Sequence, residues 1–189
     1  MVYQTYWGFI YWNATTHEQL GPPANLVTEE TDTEGGKFLS QIVLGSLLAT
    51  IPLQFVVLKE HVDILMHIHH AAMLLMASIS LGILSPDKIP IAARYAPFFF
   101  GVIELSSIPL VFVDIFHPHK HPEWNAFAKQ HTFLTQLNEI SRILFAVLYI
   151  SLRMIYFPKV VFQQVLPDCW NKLQYPENDA YRPYLWTTL

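Results

Sequence analysis

The chain has one cysteine in 189 residues. That excludes an intrachain disulfide framework and a cysteine-rich metal site. It has no basic excess: 11 Lys+Arg stand against 15 Asp+Glu, for a formal net charge of −4. Nucleic-acid binding needs cations to neutralise phosphates, so no nucleic-acid partner is expected. Charge of either sign is scarce, at 14% of residues, where an average soluble domain carries about 25%. The first 36 residues hold no Lys or Arg. Neither a secretory signal with a basic start nor an Arg-rich transit peptide is expected there, and targeting falls to internal segments. What the chain does have is apolar and aromatic surface. Hydrophobic residues make up 52%, with 13 Phe, 9 Tyr and 5 Trp, a composition that excludes a disordered chain.

The few charges are unevenly placed. Residues 38–58 contain none, and 62–84, 89–116 and 133–157 are nearly uncharged. A bilayer core about 30 Å thick is crossed by about 20 apolar residues of helix. Strand alternation is absent and apolar residues surround each stretch, so these four read as transmembrane helices. The expected fold class is therefore all-α, a polytopic transmembrane helix bundle of about four spans over residues 38–158. It lies between an extension over 1–37, with an aromatic start and an acidic linker, and a second extension over 159–189. Four spans put both termini on one side. Lys37, Lys88, Arg94, Lys159, Lys172 and Arg182 share that side, against Lys59, Lys120 and Lys129 opposite. The bias assigns the tails to the cytoplasmic or matrix side. The aromatic start reads as a segment lying at a membrane interface or on a partner. Residues 124–133, with Trp124, Phe127, Ala128 and His131 on one face, read as an interfacial helix, and the stretch before Pro167 as another.

Polar residues inside the apolar block are the candidate site. Asp63, His67 and His70 are spaced i, i+4, i+7, which places a carboxylate and two imidazoles on one helical face; His69 lies beside them. Such a stripe can hydrogen-bond across helices, contact lipid, move protons or hold a metal. His117, His119 and His121 supply one HxxxH spacing, but no HxxHH follows. The histidine count falls short of a membrane di-iron site, so neither a metal nor a cofactor is expected. Glu104 and Arg142 lie deepest. A lone charge there costs at least about 2.5–3.5 kcal/mol, so each should face the bundle and find a partner. The expected pairing is Arg142 with Glu104 or Glu139. Asn138, Arg142, Tyr149 and Arg153 fall on one stripe, with Arg153 near the end of its span, where snorkelling is cheap. Pro109 removes a backbone donor and should loosen the helix one turn back, near Leu105, where serines can satisfy freed carbonyls.

Three of these patterns resemble the TLC (TRAM, Lag1 and CLN8) domain family, which includes ceramide synthases. A helix holds a paired histidine followed by small and aliphatic residues, His69-His70-Ala71-Ala72-Met73. About thirty residues later comes Glu-x-Ser-Ser-x-Pro, from Glu104 to Pro109. A last helix reads Arg-Ile-Leu-Phe-Ala and ends in Leu-Arg-Met-Ile-Tyr-Phe-Pro, from Arg142 to Pro158. The likeness covers about residues 40–166. It implies an acyl-chain cavity between the helices, with His69 and His70 at its polar end. Family members have more spans than the four counted here, and ceramide synthases carry an aspartate pair that this chain lacks.

Those departures, with the aromatic and proline-rich extensions, point to a non-catalytic accessory subunit of a large membrane complex of the respiratory or ATP-synthase type. It would contact other subunits through both termini and bind phospholipid along Asp63, His67, His70, Glu104 and Arg142. The mitochondrial inner membrane is the expected location and the endoplasmic reticulum the alternative. Two other readings stand beside it. One is a lipid-modifying acyltransferase using His69 and His70 as catalytic residues, and the other is a lipid sensor or transporter.

Overall fold

A computed structural model describes residues 1–16, 34–53, 64–85, 88–174 and 176–188. All regular structure among the described residues is helical. In chain order the helices are α1 (Val2–Thr16), α2 (Glu34–Leu53), α3 (Ile64–Ser80), α4 (Ala93–Ile115), α5 (Pro122–Gln130), α6 (Thr132–Leu173) and α7 (Arg182–Thr188). Two of them, α4 and α6, are long and apolar enough to cross a membrane. Helix α3 falls within the second apolar stretch, and α2 overlaps the first but begins before it, at Glu34; the junction between the two stretches lies outside the described residues. Asp63, Lys59 and the acidic linker before Glu34 also lie outside them.

Three clusters hold the bundle together, and α4 contributes to two of them. On one side Tyr95, Phe98, Val102 and Ile103 meet Trp12 of α1 and Val160, Val165 and Cys169 of α6. On the other, Ala96 and Phe100 meet Leu39, Val43 and Leu47 of α2 and Ala77 of α3. Aromatic residues on consecutive turns let α4 fill both sides at once. Helix α1 approaches α4 backbone to backbone. A Cβ on Gly8 or on Gly101 would collide with the other glycine's Cα, a small-residue crossing of the kind membrane helices use for close approach. The aromatic N-terminal segment therefore docks on the chain's own bundle. Trp12 also donates its indole N–H to the Tyr156 hydroxyl at 2.8 Å. The outer face of α1, with Tyr3, Tyr6 and Ile10, stays exposed.

The C-terminal extension is tied down in the same way. Tyr181 and Leu185 pack on Leu173, Ile79 and Ile91, and buried Asn178 donates to the Lys172 carbonyl at 3.0 Å. Lys172, with its side chain 3% exposed, meets Asp168 at 3.1 Å, and the Tyr95 hydroxyl donates to the same carboxylate at 3.0 Å. A buried ion pair needs such added hydrogen bonds to offset its desolvation. Helix α3 ends at Gly82, whose φ of +72° lets Ile83 N–H reach the Ser78 carbonyl at 2.9 Å and Gly82 N–H reach that of Ile79 at 3.0 Å. This is the left-handed C-terminal cap that glycine favours.

One sequence expectation is corrected here. The stretch before Pro167 is not a separate helix, because α6 runs unbroken past residue 157 to Leu173. Pro158 and Pro167 should interrupt it. Instead each follows a widened turn, over Tyr149–Tyr156 and Val161–Val165, closed by bonds five residues long: Phe157 N–H to the Leu152 carbonyl and Leu166 N–H to that of Val161. The wider turn relieves the clash between a proline ring and the preceding carbonyls, so the helix continues through its prolines without ending. The segment before Pro109 is distorted as expected. A tight turn over Ile103–Ser106 carries Ser106, whose hydroxyl donates to the Ile103 carbonyl at 3.0 Å.

Candidate functional site

A cavity of about 530 Å³ opens among α3, α4 and α6. Its walls are apolar: Met73 and Met76 from α3, Phe99, Phe100 and Ile103 from α4, and Phe157, Val161, Val165 and Leu166 from α6. The volume falls within the range of small-molecule sites, roughly 300–1,000 Å³. Both widened turns of α6 and the one over Phe98–Val102 in α4 lie on its walls. The irregular backbone and the cavity occur together.

On the wall formed by α4 and α6, Glu104 and Arg153 lie together, while the other polar lining residues, His69 and Ser80, come from α3. The Arg153 guanidinium donates from Nε to the Ser106 hydroxyl at 3.0 Å, and from Nη2 to Glu104 Oε1 at 3.5 Å and the Ser107 hydroxyl at 3.3 Å. It lies 6.0 Å from the Tyr149 ring centroid. Arg153 is 31% and Glu104 17% exposed at the side chain, so this pair is better shielded than a surface ion pair. All three polar residues of the Glu-x-Ser-Ser segment thus converge on one cation. His69, from α3, lines the same cavity.

Arg142 is not that cation. It is exposed and faces Glu139 at 3.9 Å, both on α6 and largely in the open. The stripe placed Asn138, Arg142, Tyr149 and Arg153 on one face, but Asn138 is buried while Arg142 and Tyr149 are exposed, and helix α6 returns along α4 with its first half against Ser107–Ile115 and Arg153 level with Ser106. Eleven residues of helix, about 16 Å of rise, separate the two arginines, and only Arg153 lies at the level of Glu104. One signal could have found it. Arg153 lies five residues before Pro158, on the turn the proline widens, opposite a segment rich in acceptors.

The histidines divide. His69 is exposed on α3 and lines the cavity, whereas His70 does not. The two rings lie 5.9 Å apart at 46°. His67 and His70 are half-buried, and the Nδ1 of His70 is buried with no hydrogen-bond partner among the described residues. Neither His69 nor His70 has a hydrogen-bonded carboxylate among the described residues, the arrangement that would orient an imidazole as a general base. Of the expected lipid-contacting set, the structure brings Glu104 to the cavity, leaves Arg142, His67 and His70 outside its walls, and does not describe Asp63.

Elsewhere, His117, His119 and His121 occupy the turn between α4 and α5, where Lys120 pairs with Asp114 at 2.7 Å. Among the described residues no three His, Cys, Asp or Glu side chains gather as a metal cluster would require. The stretch 124–133, expected as one interfacial helix, is divided: α5 ends at Gln130, and His131 is extended before α6 starts at Thr132. Trp124 and Phe127 are exposed on α5, and Phe127 meets His131 at 4.6 Å between ring centroids. Ala128 turns inward and is buried.

Neither a family model, nor a curated protein, nor a solved structure matches this chain.

Proposed function

We propose that this chain is a membrane-embedded, non-catalytic subunit of a larger membrane assembly, and that its bundle holds one lipid chain. The observation that carries the reading is the cavity, lined mostly by apolar side chains with Glu104 and Arg153 together on its wall. Its surroundings support a bilayer setting. Ile143, Val147, Ile150, Met154 and Phe162 are all exposed on α6, and an uncovered apolar face of this length calls for lipid tails or another protein against it. With 42 residues, α6 is about 63 Å long, twice what a bilayer core needs, so part of it projects past the headgroups. The remaining spans of the four-helix reading fall to α2 and α3, with the apolar residues that flank them. The exposed outer faces of the two extensions, with Tyr3, Tyr6, Trp170 and Trp186, suit contact with neighbouring subunits. Permanent assemblies of that kind are concentrated in energy-converting membranes, which favours the mitochondrial inner membrane and a respiratory or ATP-synthase host. The resemblance to TLC domains fits the same cavity.

Extraction in a mild detergent, followed by affinity capture and mass spectrometry, tests the reading. The chain is expected to come out in a fixed ratio with other membrane subunits. A solitary monomer would overturn it. One observation favours a second reading: His69 shares a cavity with Glu104 and Arg153, as a residue acting on a bound lipid would. That acyltransferase reading expects His69→Ala to change the lipid profile of the host membrane, and an unchanged profile excludes it.

A further inference from the structure

The chemistry of the cavity also selects the head group of its occupant, given that it holds a lipid chain. A water-sized group fills about 30 Å³ and a methylene is of similar size. The cavity of about 530 Å³ thus has room for at least on the order of 18 such groups, enough for one acyl chain.

Among the lining residues only His69, Glu104 and Arg153 are titratable. The formal charges of Glu104 and Arg153 cancel at 3.5 Å, so the polar wall offers no unneutralised cation to an anionic head. A guanidinium has five N–H donors. Nε is taken by Ser106, and Nη2 is shared between Glu104 and Ser107. The two donors on Nη1 are left. Glu104 has acceptor capacity beyond its one bond to Arg153, since a carboxylate can accept about four. The wall therefore presents donors and acceptors side by side with no net charge. A carboxylate placed there would lie against that of Glu104, a like-charge contact that shielding from water makes costly.

We infer that the cavity takes a lipid whose head is uncharged and both donates and accepts hydrogen bonds, such as a long-chain alcohol or primary amide, in preference to a free fatty acid. The head oxygen accepts from Arg153 Nη1, and its O–H or N–H donates to Glu104.

Photolabelling of the full chain in mild detergent, at alkaline pH where the acid is ionised, measures this. The probes are a diazirine-bearing hexadecanol and the matching diazirine-bearing palmitate. The alcohol is expected to label residues of α3, α4 and α6 around the cavity about tenfold more, a difference of about 1.4 kcal/mol. Glu104→Gln leaves Arg153 unneutralised, so palmitate labelling should rise and the ratio should fall or invert. Equal labelling by both probes in the native chain, or a ratio unmoved by Glu104→Gln, overturns the inference while leaving the lipid cavity intact. If neither probe labels the cavity, the lipid reading fails with it. The native ratio is read without any substitution, so the comparison stands even where Glu104→Gln does not fold.

Discussion

Helices α4 and α6 have nearly the same hydropathy, 1.9 and 1.6 over their most apolar windows, but 39% of that window is buried in α4 and 6% in α6. The difference is one of neighbours. Helix α4 has α1 and α6 on one side and α2 and α3 on the other, and its aromatic residues meet partners in both directions. Helix α6 spends a narrow stripe on the bundle, through Asn138, Ser141, Val160, Val165 and Cys169, and leaves its broad apolar face uncovered. An apolar helix at the heart of a soluble bundle would be buried like α4 or more so. An apolar helix as bare as α6 calls for lipid tails or another protein against it. In this molecule the two classes of hydrophobic helix, inward and outward, stand side by side.

The largest break in that comparison should come from truncating one apolar residue in each helix. Phe98 is fully buried, whereas Ile143 is 66% exposed. Phe98→Ala should cost about 3–5 kcal/mol through the void it leaves, and Ile143→Ala no more than about 0.5 kcal/mol. Chemical unfolding of the detergent-solubilised chain reads both, and similar costs would erase the distinction between the helices. A smaller effect should separate the two arginines of α6. Arg153→Met strips the donors from Glu104, Ser106 and Ser107 and should cost about 1–3 kcal/mol. Arg142→Met breaks one exposed pair, and its cost should lie within about 0.5 kcal/mol of zero. Thermal denaturation of the two variants in one detergent checks the order. The smallest effect sharpens the start of α4. Ala92 has φ +57°, a left-handed conformation that costs an L-residue about 1–2 kcal/mol. Ala92→Gly should raise stability by about 1 kcal/mol, read as a small upward shift in the unfolding midpoint.

The span over 89–116 was legible because its signal is local: a continuous apolar run bounded by polar turns, which folds as Ala93–Ile115. The continuation of the helix past residue 157 was not legible, for an equally local reason. Proline is a helix breaker in isolation, and nothing within a turn of Pro158 reveals that a widened turn will absorb it. The candidate site was half legible. Glu104 and its serines stood out as polar residues in an apolar helix. Their partner did not, because helical periodicity tells which residues share a face but not at what height two helices meet.

Composition and hydropathy pattern were enough to anticipate that the regular structure of the described residues is helical, with two helices long and apolar enough to cross a membrane, and that the few interior charges must be accounted for. Those properties follow from each residue's own solvation and from neighbours within a turn or two. Tertiary contacts alone settled that Arg153 and not Arg142 meets Glu104, that His69 and not His70 lines the cavity, and that α4 lies inside while α6 lies out. Each depends on the axial register and rotation of one helix against another. Register is set by long-range contacts such as Gly8 against Gly101 and Arg153 against Ser106, which no local stretch of sequence encodes.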